Sequence, residues 1–139
     1  MLDNENNEGL KTCKVVLVGE SGVGKSCITA RFVHDTFDDT IKPTQSAAFV
    51  TKNLKFEDEK SIKFDIWDTC GQEKFRSLGK IFYKGISIAI LVYDITSKQS
   101  FEQLENFWFD QIKEYAPKNT NKFIFFNLFF HNYSHRVSC

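Results

Sequence analysis

Apolar and polar positions alternate along the chain in a pattern that predicts strands followed by helices. The first apolar run, KVVLV from Lys14 to Val18, stops at a glycine-rich turn. In the next segment, Lys25 to Val33, apolar residues recur at helical spacing. Strand-like runs follow over residues 47–56 and 62–67, joined by the polar turn EDEK. The first half is therefore predicted to form strand, loop, helix and two strands.

The second half continues this alternation. Residues 69–80 are polar and irregular, and a continuous apolar run over residues 86–93 predicts a buried strand. Helical spacing returns from Ser100 to Tyr115, and Ser100 with Gln103 forms a capping box that predicts the start of this helix.

Strands that alternate with helices, some of them apolar on both faces, predict an α/β fold with a mostly parallel sheet and helices on both of its faces. The length of 139 residues fits one domain. We expect a polar disordered leader over residues 1–12, a domain over residues 13–122 and an atypical tail over residues 123–139. Five of those last 17 residues are phenylalanine, and such an apolar strand-like segment at a sheet edge is a predicted aggregation site.

Composition and charge argue against nucleic acid and anionic membranes as partners. The chain carries 18 basic and 18 acidic residues, so no net field draws it toward nucleic acid or an anionic membrane. The four cysteines are scattered, which fits a reducing, cytoplasmic compartment. Its apolar stretches are shorter than the roughly 20 residues that cross a bilayer. We therefore expect a cytoplasmic protein without nucleic-acid partners.

Residues 19–26, GESGVGKS, match the phosphate-loop pattern GxxxxGK[ST] between a predicted strand and a predicted helix. Glycines at 22 and 24 permit backbone conformations in which successive N–H groups face a phosphate. The Lys25 ammonium suits the β and γ phosphates, and the Ser26 hydroxyl suits Mg²⁺. A plain glycine-rich turn is the alternative, which the strand and helix context disfavours. The expected nucleotide-binding residues here are Glu20, Ser21, Gly22, Val23, Gly24, Lys25, Ser26 and Cys27.

A second motif, WDTCGQE at residues 67–73, follows the end of a predicted strand. Asp68 is placed to bind Mg²⁺ through a water, and the Gly71 N–H to meet a γ phosphate, because glycine permits close backbone approach. Gln72 would then orient an attacking water. By itself this motif could also be an ordinary strand-to-loop turn, but the phosphate loop about 40 residues upstream strongly favours the interpretation as a metal and phosphate site.

With both motifs present, the chain resembles the Ras-superfamily small GTPases, which have a P-loop NTPase fold, and within them the Rab family. Similarity extends from about Lys14 to about Pro117. The stretches that resemble the Rab family are SAAF at 46–49, FDIWDTCGQEKFRSL at 64–78, FYKGI at 82–86 and LVYDITSKQSFE at 91–102.

The resemblance implies roles for further residues. Phe37 would lie against the guanine ring, and Thr44 would bind Mg²⁺ and the γ phosphate. Phe49, Trp67 and Phe82 would form the aromatic surface that effectors contact. From the residues alone, these aromatic side chains could equally fill a core or pack a loop.

The function implied by the resemblance is a molecular switch of vesicle traffic that binds GTP or GDP with Mg²⁺ and hydrolyses GTP, with Lys25 and Gln72 as catalytic residues. γ phosphate and Mg²⁺ would hold the loops near Thr44 and Gly71, and hydrolysis would release them. Intrinsic hydrolysis in Ras is on the order of 10⁻⁴ per second, so a GAP, an exchange factor and effectors are implied. Family members act on cytosolic faces of endomembranes.

Departures from the family pattern separate three hypotheses. Gln45, Ser46 and Cys70 are small departures, but the guanine-reading NKxD motif is absent, since Leu128, Phe129 and Phe130 follow Asn127. No carboxylate is left there to accept hydrogen bonds from guanine, so affinity and specificity should fall. Besides the switch enzyme, a non-enzymatic remnant with weak or no nucleotide binding and an ATP-using P-loop enzyme therefore remain.

The C-terminal end also differs from the family. Rab proteins end in paired cysteines, whereas Cys139 follows RVS and fits no CaaX box. From this sequence we expect no prenylation, no stable membrane anchor, and a GTPase fold that lacks its last strand and helices.

Overall fold

The computed structural model describes residues 10–37, 46–57, 60–69 and 79–127, with side chains to residue 124. Within these ranges the helices and strands alternate as the apolar pattern predicts. The elements are β1 (Lys11–Val18), α1 (Lys25–His34), β2 (Ala48–Lys55), β3 (Ser61–Asp68), α2 (Gly79–Tyr83), β4 (Ile88–Asp94), α3 (Lys98–Gln103), a π-helical segment (Leu104–Trp108), α4 (Phe109–Tyr115) and β5 (Asn121–Asn127).

The strands form a sheet in the order β2-β3-β1-β4-β5. Strand β1 pairs in parallel with β3 on one side and with β4 on the other, and β5 extends the parallel part of the sheet. Among the strands of the described ranges, only β2 is antiparallel, and it pairs with β3. The mostly parallel α/β fold predicted from the sequence is thereby confirmed.

Two apolar clusters lie on opposite faces of the sheet, because side chains alternate along β1. Val16 and Val18 pack with α2, the π-helical segment and α4. Val15 and Leu17 pack on the other face, where α1 contributes Ile28. Helical segments thus cover both faces, as the sequence predicts.

The structure corrects two predicted boundaries. Strand β1 begins at Lys11, so the leader expected over residues 1–12 does not include Lys11 and Thr12, which pair with β3. Strand β5 runs from Asn121 to Asn127, so the boundary expected at residue 123 falls inside a strand of the sheet. Residues 1–9 and 128–139 lie outside the described part.

The predicted capping box at Ser100 and Gln103 is wrong. Helix α3 begins at Lys98, and Ser97 caps it by accepting a hydrogen bond from the Ser100 N–H at 3.2 Å. The Ser100 hydroxyl is instead buried against the end of β4, where it accepts from the Asp94 N–H at 3.0 Å. Two serines three positions apart both suit a helix start, and this tertiary contact decides between them.

Candidate nucleotide-binding site

The phosphate loop leaves β1 through a glycine that no other residue can replace without a clash. Gly19 has a φ of 148°, and a Cβ there would lie 2.1 Å from the carbonyl oxygen of Val92 in β4. Gly22 and Gly24 also have positive φ, at 79° and 99°. These are conformations that glycine adopts readily and other residues do not. The loop therefore has the backbone shape that its glycines predict.

Lys25, at the end of this loop, is almost fully buried, since it is only 6% exposed. Its ammonium donates hydrogen bonds to the carbonyl oxygens of Gly19 at 3.0 Å and Glu20 at 2.7 Å. The side chain thus turns back over the loop that precedes it. A buried ammonium at the loop is suited to meet the oxygens of a bound polyphosphate.

Helix α1 starts directly after the loop. Gly24 caps it in the left-handed conformation without a side-chain hydrogen bond. The N–H groups of the first turn thus receive no acceptor from a capping side chain, and the first turn contains no acidic residue. An open helix start of this kind favours anions because its N–H groups and its dipole point toward them.

The pairing of β1 with β3 brings the second motif to the loop. Leu17 stands beside Asp68 in this parallel register, so both strands end at the same edge of the sheet. The Ser26 hydroxyl donates a hydrogen bond to Oδ2 of Asp68. Nearby, the Thr69 hydroxyl donates to the Leu17 carbonyl at 2.6 Å and joins the two strand ends.

The Asp68 carboxylate has an unusual environment for an acid. Burial raises its pKa, while the hydrogen bond from Ser26 and the charge of Lys25 act in the lowering direction. Its second oxygen, Oδ1, is buried and has no hydrogen-bond partner among the described residues. Hydroxyl and carboxylate oxygens are the ligands Mg²⁺ prefers, so Ser26 and Asp68 fit a magnesium site in which Oδ1 gains a partner.

Several predicted site residues lie outside the described part of the chain, namely Thr44, Gly71 and Gln72. Their roles stay predictions. Among the described residues, Phe37 is half exposed beyond the end of α1, and Ser21 is exposed in the loop. Val23 is buried in the α1-side cluster, and Cys27 is partly buried in the first turn of α1.

The structure brings together the three aromatic residues that the resemblance assigns to effector binding. Phe49 and Trp67 are directly opposite each other on β2 and β3, and their ring centroids are 4.7 Å apart. Phe82 on α2 follows at 5.4 Å from Trp67. Phe49 remains 47% exposed, whereas Trp67 and Phe82 also pack against the core. The core interpretation thus holds in part for Trp67 and Phe82, and the effector role of the group stays a prediction.

One contact to the loop was missed by sequence reasoning. The indole N–H of Trp108 donates a hydrogen bond of 3.0 Å to Oε1 of Glu20, although the two residues are 88 positions apart. The only sequence signal is that Trp108 lies at helical spacing between Leu104 and Ile112, which indicates burial and not a partner. No local pattern identifies such a contact.

Residues 14–129 match the model of the Ras family, and the chain belongs to this family of small GTPases. The glycine loop after β1, the Ser26–Asp68 contact and the largely parallel sheet are therefore parts of a small-GTPase fold. The region that matches covers β1 through β5.

Within the family the chain is Rab-like. It is 47% identical over 110 residues to Ras-related protein Rab-22A of Homo sapiens, covering 79% of this chain and 56% of that protein. It is also 47% identical over 110 residues to Ras-related protein Rab-31 of Rattus norvegicus, covering 79% of this chain and 55% of that protein. GTP-binding protein ypt5 of Schizosaccharomyces pombe is 44% identical over 105 residues, covering 76% and 49% of the two chains. The chain thus spans about half the length of the curated relatives it matches.

None of the helices in the described ranges has the length and apolar character needed to cross a membrane.

Proposed function

We propose that this chain binds a guanine nucleotide together with Mg²⁺ and acts as a GTP-hydrolysing switch of vesicle traffic. The observation that carries the proposal is the junction at the end of β1, where the Lys25 ammonium, the open start of α1 and the Ser26–Asp68 pair converge. These groups are a cation, an anion-binding helix end and two hard oxygen ligands, the combination that a magnesium polyphosphate requires.

Each group of this junction has a separate task. The Lys25 ammonium exchanges its two carbonyl partners in part for phosphate oxygens, and it remains buried in doing so. Ser26 and Asp68 hold the metal, which when bound neutralises charge on the β and γ phosphates. Gly22 supplies the positive φ of 79° at this point of the loop, where among the described residues an added Cβ would meet nothing within 4 Å.

The proposed hydrolysis of GTP depends on Gln72, Thr44 and Gly71. We assign water positioning to Gln72 from the family resemblance, and γ-phosphate contacts to Thr44 and Gly71. The partly exposed aromatic group of Phe49, Trp67 and Phe82 is the proposed contact surface for effectors. An exchange factor and a GAP would act through the loops near Thr44 and Gly71.

A second candidate is a binding protein with weak base discrimination. Leu128, Phe129 and Phe130 after Asn127 supply no carboxylate that could accept hydrogen bonds from guanine. Phe37, half exposed beyond α1, could stack on any purine. In this candidate the chain retains the aromatic surface but binds nucleotide loosely.

One experiment separates these candidates. The 139-residue chain is purified with Mg²⁺, its bound nucleotide is released and quantified by chromatography, and affinities for fluorescent GDP and ADP are compared. Stoichiometric GDP and a preference of 100-fold or more for GDP support the switch. Equal, weak affinities for both support the second candidate. An empty protein that binds neither nucleotide contradicts both.

A further inference from the structure

Trp108 is a buried aromatic residue with a polar contact at the phosphate loop. It lies at the end of the π-helical segment, is only 2% exposed and packs in the cluster that includes Val18 and Tyr83. Its indole N–H donates to the Glu20 carboxylate at 3.0 Å. A buried indole N–H usually has a hydrogen-bond acceptor, and here the acceptor belongs to the phosphate loop.

Glu20 accepts hydrogen bonds through both its side chain and its main chain. Its carboxylate accepts from Trp108, and its main-chain carbonyl accepts from the Lys25 ammonium at 2.7 Å. The preceding residue, Gly19, abuts the Val92 carbonyl so closely that no Cβ fits. The hydrogen bond from Trp108 therefore restrains the Glu20 side chain at the position where the loop leaves the sheet.

Trp108 is the last residue of the π-helical segment. The Phe109 N–H donates to the Leu104 carbonyl, a span of five residues in place of the four of an α-helix. Leu104 and Trp108 both pack in the same buried cluster. Such single π turns often occur at functional sites.

The charge of Glu20 gives this contact a consequence for ligand binding. A carboxylate in a loop that binds polyphosphate would repel the ligand if it turned toward it. The charge-assisted hydrogen bond to the partly buried carboxylate restrains it beside the π-helical segment. The restraint keeps the Glu20 charge away from the groups that suit an anion, the Lys25 ammonium and the N-terminal end of α1.

We infer that Trp108 is a positioning residue of the phosphate loop, which slows nucleotide release by restraining Glu20. This inference rests on the proposed nucleotide binding and extends it to a residue outside the two motifs. Trp108 itself contacts Glu20 and the core and takes no direct part in binding phosphate.

The test is a double-mutant cycle on the full chain. Trp108→Phe keeps an aromatic ring in the core but removes the N–H donor, and Glu20→Ala removes the acceptor. Dissociation of fluorescent GDP is measured by stopped flow with excess unlabelled GDP. We expect Trp108→Phe to release nucleotide about 5- to 20-fold faster, because the Glu20 carboxylate is no longer restrained. In the Glu20→Ala background that carboxylate is absent, so adding Trp108→Phe should change the release rate less than about twofold.

Tyr83→Phe is the matched control, because it also removes a polar group from an aromatic side chain of the same cluster. If Trp108 acts only through core stability, both variants should show equal changes in release rate at equal loss of unfolding free energy. A wild-type release rate in Trp108→Phe, or strictly additive effects in the cycle, would overturn the inference while leaving nucleotide binding intact. A wild-type chain that binds no nucleotide would overturn both proposals.

A spectroscopic measurement gives a second readout. The Trp108 indole N–H resonance is assigned in a ¹⁵N–¹H spectrum by its loss in Trp108→Phe. We expect this resonance to shift when GDP and Mg²⁺ are added and to shift again in Glu20→Ala. A resonance that responds to neither change would contradict a link between Trp108 and the loop.

Discussion

Ser26 and Asp68, 42 positions apart in sequence, are joined by a hydrogen bond from the Ser26 hydroxyl to the Asp68 carboxylate. The contact links the first turn of α1 to the last residue of β3. It follows from the parallel register of β1 and β3, which ends both strands at one edge of the sheet. The two oxygen ligands proposed for Mg²⁺ are therefore assembled by strand pairing and not by local sequence.

Asp68→Asn tests the metal site. The amide oxygen can still accept from Ser26, but the charge that attracts Mg²⁺ is gone. We expect the gain in GDP affinity on adding Mg²⁺ to fall about tenfold, as for loss of a charged interaction. Titration of fluorescent GDP with and without Mg²⁺ measures this gain. Asp110→Asn, an exposed acid on α4, is the control, and an unchanged gain in Asp68→Asn would contradict the assignment.

Lys25→Met tests the buried ammonium. Methionine keeps a stem of similar length but donates to neither the Gly19 nor the Glu20 carbonyl. We expect GDP affinity to fall by at least about 100-fold, since a charge-assisted contact to phosphate is lost together with the loop's internal bonds. Equilibrium binding measures the loss, and exposed Lys113→Met serves as the control. GDP affinity within threefold of wild type would exclude Lys25 from the site.

Two glycine variants test the backbone of the loop. In Gly19→Ala the new Cβ would lie 2.1 Å from the Val92 carbonyl, which the sheet holds in place, so we expect a loss of more than about 3 kcal/mol or failure to fold. Gly22→Ala has open space and bears only the left-handed strain of about 1–2 kcal/mol. Urea unfolding compares the two, and similar losses would show that the close approach at Gly19 is unimportant.

We expect substitutions of Phe49 and Trp67 to differ in their cost in unfolding free energy. Phe49 is half exposed, so we expect Phe49→Ala to cost less than about 1 kcal/mol in unfolding free energy. Trp67 packs against the core cluster, so Trp67→Ala should cost about 3 kcal/mol. Chemical denaturation measures both. Equal costs would mean that Phe49 is as much a packing residue as Trp67 and would weaken its assignment to a contact surface.

The exposed apolar pair on β5 should promote association. Phe123 and Ile124 are 56% and 60% exposed, and within the described residues β5 pairs only with β4. Lysines at both positions should suppress edge-to-edge pairing, and we expect at least severalfold slower growth of light scattering. Leu10→Lys, which removes another exposed apolar side chain, is the control. An equal effect of both changes would indicate a general charge effect.

The sequence predicted well those features that depend on nearby residues. The strand, loop and helix around residues 14–33 and the positive φ of Gly22 and Gly24 follow from apolar spacing and from glycine chemistry. The mostly parallel pairing and the helix cover on both faces follow from the alternation of strands and helices.

Features that depend on distant contacts were not predictable. The π-helical segment, the helix start at Lys98 and the Trp108–Glu20 hydrogen bond are all decided by tertiary packing. Each involves side chains with several locally acceptable arrangements, such as Ser97 and Ser100, and local propensity does not choose among them. The phenylalanines from residue 123 were predicted to be strand-like at a sheet edge but were counted with the tail, whereas β5 runs from Asn121 to Asn127.

The close fit of Gly19 against the Val92 carbonyl has a consequence for how the loop meets its ligands. Because that end of the loop takes its shape when the sheet forms, little backbone freedom is lost there on binding, and the cradle is preorganised. A diphosphate and a triphosphate would then meet the same preorganised loop backbone. Distinguishing a third phosphate would then depend on the proposed γ-phosphate contacts of Thr44 and Gly71.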